Sequence, residues 1–95
     1  MHVISRKRLK EAALVHGDLA APLDAWFRIA KKAQWETLAD VRLTFAKVDA
    51  VGQRTVFNIK GNKYRLITEI NYPSGRIYIR NVLTHAEYDR GGWKK

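Results

Sequence analysis

The chain has 95 residues, 46% hydrophobic and 28% charged, with 18 Lys and Arg against 9 Asp and Glu. That is the composition of one small globular domain without room for a second. The absence of cysteine excludes disulfides, a thiol nucleophile and thiolate metal sites, and the short apolar runs exclude a membrane span.

The formal charge of +9 calls for a polyanionic partner or an acidic protein that neutralises it. Most of the excess falls after residue 53, with a smaller cluster at Arg6, Lys7, Arg8 and Lys10. The opening Met1-His2-Val3-Ile4-Ser5 lacks the apolar stretch of a secretory signal, so a cytoplasmic protein is expected.

In chain order, Val3 and Ile4 predict a short first strand, and Ser5 can cap the helix that follows. That helix runs from Arg6 to about His16, with Gly17 placed as a left-handed cap. A second helix begins near Ala21 with Pro22 in its first turn. Its Leu23, Trp26, Phe27, Ala30 and Ala33 recur at helical spacing, a stripe that must bury against something large. A third helix is expected from Thr37 to about Leu43, followed by an irregular stretch through Gly52. Beyond Gly52 the period changes from 3.6 to 2, and three strands follow: 54–60, 63–72 and 76–84. Gly61-Asn62 and Pro73-Ser74-Gly75 mark the hairpin turns. The order predicts an α+β domain: an N-terminal strand and two or three helices packed on one face of a small antiparallel sheet.

Register follows from the turns. A two-residue Gly61-Asn62 turn pairs Phe57 with Leu66 and Asn58 with Arg65. A two-residue Ser74-Gly75 turn pairs Ile70 with Ile79, Leu66 with Leu83 and Glu69 with Arg80. Both choices place Thr55, Phe57, Ile59, Tyr64, Leu66, Ile70, Tyr72, Ile77, Ile79 and Leu83 on the core face, under the helices. The opposite face then carries Asn58, Lys60, Lys63, Arg65, Glu69, Asn71, Tyr78, Arg80 and Thr84, four cations around one carboxylate. Like charges so placed repel unless an anion visits, and arginine's planar fork suits phosphate. Val56, Ile67 and Val82 interrupt this face; either the C-terminal segment folds over them or they form a patch for a partner.

The last strand runs into Thr84-His85-Ala86-Glu87-Tyr88-Asp89. Thr84 and Glu87 have the form of a capping box, so a short C-terminal helix starts here and brings His85 and Tyr88 together at the rim of the basic face. Histidine suits proton transfer at neutral pH. His2, His16 and His85 have no metal-ligand spacing, and no phosphate-binding loop or serine elbow occurs, so neither a metal nor a cofactor is expected. An enzyme built from Arg, Lys, His and Tyr alone points to phosphodiester chemistry in which the substrate supplies its own nucleophile, as RNA does.

Val56-Phe57-Asn58-Ile59, the run from Gly61 to Ile67, Tyr78-Ile79-Arg80 and the run from Val82 to Asp89 resemble the HigB family of bacterial toxins. His2-Val3-Ile4-Ser5 and Trp26-Phe27-Arg28-Ile29 extend that resemblance to nearly the whole chain. HigB proteins belong to the RelE/ParE superfamily, so the resemblance implies a RelE-like fold and a ribosome-dependent messenger-RNA endonuclease, neutralised by a cognate antitoxin that often carries a helix-turn-helix. Operator DNA would be bound only through that antitoxin.

Carried onto these residues, the resemblance gives Arg65 and Arg80 the scissile phosphate. Lys63 or Lys60 supplies electrostatic support or a proton, His85 is the leading acid–base group, and Tyr88 is its partner or substitute. Asn58, Lys60, Asn71, Arg6, Lys7 and Lys95 are expected to contact RNA, on the messenger or the ribosome. Two other readings stay open: a ParE-like poison of DNA gyrase, and a non-catalytic module that binds RNA or the ribosome.

Overall fold

The computed structural model describes residues 1–94. Strand β1 (His2–Ile4) leads into helix α1 (Arg6–Val15), a 3₁₀ turn (Gly17–Leu19), α2 (Ala20–Lys32) and α3 (Leu38–Thr44). Strands β2 (Asp49–Val51), β3 (Arg54–Ile59), β4 (Tyr64–Asn71) and β5 (Arg76–Thr84) follow, then α4 (His85–Arg90) and a 3₁₀ turn (Gly92–Lys94). The α+β architecture is as expected. Among the described residues, no helix is long and apolar enough to cross a membrane.

The five strands form one sheet in the order β1-β5-β4-β3-β2. All neighbours are antiparallel except β1 and β5, which pair in parallel because the chain between them crosses over through the helices. The edge strand β2 falls in the stretch expected to be irregular; three residues are too few to show a period. Helices α1 and α2 cover one sheet face, where Leu23, Trp26 and Ala30 meet Phe57, Leu66, Ile77 and Ile79 in a single core. Trp26 packs edge-on against Phe57, with ring centroids 5.3 Å apart.

Both helix-end expectations near α1 need correction. Ser5 makes no side-chain cap bond; it takes φ 69°, the sharp bend needed to pass from β1 into α1. Gly17 is not left-handed, because extended His16 ends α1 and Gly17 opens the 3₁₀ turn. At Thr37 the cap is complete: its hydroxyl accepts from the Asp40 N–H while the Asp40 carboxylate accepts from the Thr37 N–H.

The β3–β4 register is as expected, with Phe57 opposite Leu66 and Asn58 opposite Arg65. The β4–β5 register is not. The turn is Tyr72-Pro73-Ser74-Gly75, closed by the Gly75 N–H on the Tyr72 carbonyl at 3.1 Å, with the Asn71 side chain accepting from the Ser74 N–H. Proline presets the second position of such a turn, and Gly75 absorbs φ 67° at its end. Ile70 therefore pairs with Ile77, Glu69 with Tyr78 and Leu66 with Val82.

A bulge completes the difference. Ile67 pairs with Asn81 and Thr68 with Ile79, which leaves Arg80 as the extra residue. Its carbonyl is taken by the Arg8 guanidinium of α1 at 2.5 Å. Beyond the bulge the alternation shifts by one. Val82 joins the helix-side core in place of Leu83, and Thr84 comes opposite Tyr64 rather than onto the open face. Val56 and Ile67 stay on the open side but are buried, which excludes an exposed apolar patch for a partner there.

Candidate active site

The site is assembled where β4 and β5 meet α4. Thr84 caps α4 as expected: its hydroxyl accepts from the Glu87 N–H at 3.2 Å, and the Glu87 carboxylate accepts from the Thr84 N–H at 2.9 Å. That backbone bond holds the Glu87 carboxyl below its usual range. The His85 N–H donates to the Lys63 carbonyl at 3.1 Å, which fastens the start of α4 to the β3–β4 turn.

On α4, His85 Nδ1 lies 2.8 Å from Asp89 Oδ2. A proton on Nδ1, shared with that carboxylate, leaves the Nε2 lone pair free to accept another. Asp89 was not assigned a role from sequence, although its i,i+4 spacing from His85 becomes readable once α4 is granted. The Tyr88 ring meets the Arg65 guanidinium, whose carbon is 5.3 Å from the ring centroid. It also stacks on Trp93 with centroids 5.0 Å apart and planes within 14°.

Arg65 is 8% exposed. Its guanidinium donates to the carbonyls of Asn62 and Tyr64 at 3.0 and 3.2 Å and to Asn62 Oδ1 at 2.6 Å. Among the described residues no carboxylate lies within ion-pair distance of it. A buried charge without a counter-ion is costly unless a bound anion completes it. Asn58 lies directly across β3 from Arg65.

Arg80 shares the open face with Arg65, since Tyr64, Leu66, Ile77 and Ile79 between them face the helices. It belongs to a different cluster there. Its guanidinium meets Glu69, with Nε 3.3 Å from Oε1, and Glu69 also pairs with Arg54. Along the strands Arg80 stands about 10 Å from Arg65, because three steps of β5 separate it from Leu83, the residue opposite Arg65. An open cleft of about 550 Å³ takes in Arg54, Glu69, Asn71 and Tyr78 but none of the α4 side chains.

Lys60 and Lys63 do not join the arginines as expected. Both reach Asp18 in the 3₁₀ turn, at 2.9 and 3.1 Å, and Tyr64 donates its hydroxyl to the same carboxylate at 2.9 Å. The loop permits this, since Lys60 leaves the strand with φ 54° and is freed from the pleat, and the Asp18 carboxylate supplies the opposite charge that both lysines follow. Arg6 lies 3.9 Å over the Phe27 ring of α2, Lys7 is exposed on α1, and Asn71 serves the far turn. Lys95 lies outside the described residues. Trp93 was missed because a lone aromatic after Gly91-Gly92 carries no periodic signal.

The family model of the HigB toxin, the RelE-like toxic component of a toxin–antitoxin system, matches residues 19–91. The chain is 30% identical over 93 residues to the mRNA interferase HigB of Escherichia coli O6:H1, covering 95% of this chain and 90% of that protein. It is 32% identical over 92 residues to the mRNA interferase toxin HigB of E. coli K12, covering 94% and 88%. The mRNA interferase HigB of Shigella flexneri matches to the same extent.

Proposed function

Because the chain belongs to the HigB family, the RelE-like toxic component of a toxin–antitoxin system, we propose that it is an mRNA interferase that cuts translated messages in the ribosome and is silenced by a cognate antitoxin with a helix-turn-helix. One observation carries the chemistry. The buried Arg65 guanidinium, with no carboxylate within ion-pair distance among the described residues, lies beside an α4 that also presents the His85–Asp89 pair.

In this reading Arg65 holds the scissile phosphate and stabilises the charge that grows on its oxygens. His85 Nε2 takes the proton of the RNA 2′-hydroxyl, and Asp89 holds the ring. The 2′-oxygen forms a bond to phosphorus as the bond to the 5′-oxygen breaks, and the Tyr88 hydroxyl protonates the leaving oxygen. The products are a 2′,3′-cyclic phosphate and a free 5′-hydroxyl. The ribosome presents the codon, supplying orientation that so small a domain lacks.

His85→Ala is expected to lower message cleavage in a translation extract by about 10²- to 10⁴-fold while ribosome binding stays near wild type. Asp89→Asn, which keeps the shape of the partner, should cost about 10- to 100-fold. Undiminished cleavage by His85→Ala would refute the assignment. Loss of binding in step with loss of cleavage would favour a module that only binds RNA. Intact messages alongside trapped gyrase–DNA complexes would favour the ParE-like reading.

A further inference from the structure

Trp93 follows α4 through Gly91, whose φ of 75° turns the chain back on the helix. The indole Nε1–H donates to the Tyr88 carbonyl at 2.9 Å, and the indole ring stacks on the Tyr88 ring. It is therefore held rigidly in place. Yet it is only partly buried, whereas Trp26 and Trp35 are 2% and 6% exposed. Lys94 also lies near the indole ring, with its Nζ 5.7 Å from the ring centroid.

A fixed aromatic plane with a lysine ammonium beside it, one ring away from a buried guanidinium, is what a single-stranded nucleotide needs beside a phosphate site. Every base has a π-face, and stacking on a ring already in place orders no further side chain. From this geometry we infer that Trp93 is a stacking platform for the RNA base next to the phosphate held by Arg65. Lys94 attends the adjoining backbone. The inference rests on the RNA-cleaving reading and adds to it a base-binding subsite formed by the C-terminal turn.

Acrylamide quenching of tryptophan fluorescence tests it directly, since Trp93 is the accessible indole. The probe is a mixed-sequence hexaribonucleotide carrying 2′-O-methyl groups, which lacks the attacking hydroxyl and binds without being cut. Saturating probe is expected to shield Trp93. Trp93→Ala should weaken probe binding about 5- to 150-fold, with Trp93→Phe close to wild type. Circular dichroism of both variants confirms that they fold. If Trp93 quenches as freely with the probe as without it, the inference is overturned. It is also overturned if Trp93→Ala binds normally and lowers only the cleavage rate, because the indole then merely props Tyr88. Shielding and weakened binding in a protein whose His85→Ala variant still cuts would keep the platform and overturn the catalytic assignment alone.

Discussion

Asp18 shows how one carboxylate decides where two cations go. Lys60, Lys63 and the Tyr64 hydroxyl all converge on it, and the hydrogen bond from Lys60, the largest of these influences, holds its carboxyl far below the ordinary value of 3.8. A carboxyl depressed by folding binds its proton more readily in the unfolded chain, so stability rises with pH. The contribution of Asp18 is complete above its ordinary value and fades as pH falls below it. Asp18→Asn should therefore be less stable than wild type in urea titrations at pH 7, and the gap should narrow steadily once the pH drops below 3.8. A gap that persists unchanged into strong acid would mean that the carboxylate charge is not what anchors the turn.

At the scale of elements, α4 is the part of the fold closest to failure. It has six residues, none of them buried, and depends on its two ends. Thr84→Ala removes a hydroxyl that caps the helix, at a cost of about 1 kcal/mol. Gly91→Ala forces a side chain into the left-handed region and should cost about 1 kcal/mol, although nothing nearby would clash with the added carbon. Gly92, whose φ is not positive, is the control: Gly92→Ala should be nearly neutral in thermal unfolding. Because α4 carries His85, Tyr88 and Asp89, Gly91→Ala is also expected to lower cleavage more than Gly92→Ala does. Equal effects from the two glycines would contradict this account of how the helix ends.

For the whole molecule the deciding quantity is the charge of +9. Binding to a single-stranded polyanion weakens with salt, by a slope of about 0.7 for each phosphate neutralised. The cations are not equivalent. Among the described residues Arg65 meets no carboxylate within ion-pair distance, whereas Arg80 divides Glu69 with Arg54. Arg65→Ala should reduce the salt slope of RNA binding by about 0.7, and Arg80→Ala by less, because its removal also releases part of the Glu69 charge. Measured affinities across a salt series check this, and a larger change from Arg80 would place the phosphate at the bulge instead.

Much of this protein is readable from local patterns. The apolar stripe of α2, the period change after Gly52, the Thr84–Glu87 capping box and the Phe57–Leu66 register depend on residues near one another in the chain, or on a tight turn that fixes pairing. The resemblance that points to the family is carried by the same local runs. What only the tertiary structure decided depends on contacts between distant segments. The bulge at Arg80 moves Val82 inward, and Asp18 draws Lys60 and Lys63 away from the arginines. The stack of Trp93 on Tyr88 completes the C-terminal end of the site. A sequence states which side chains alternate, but one inserted residue or one distant carboxylate resets where they point, because strand faces follow pairing and flexible cations follow the nearest opposite charge.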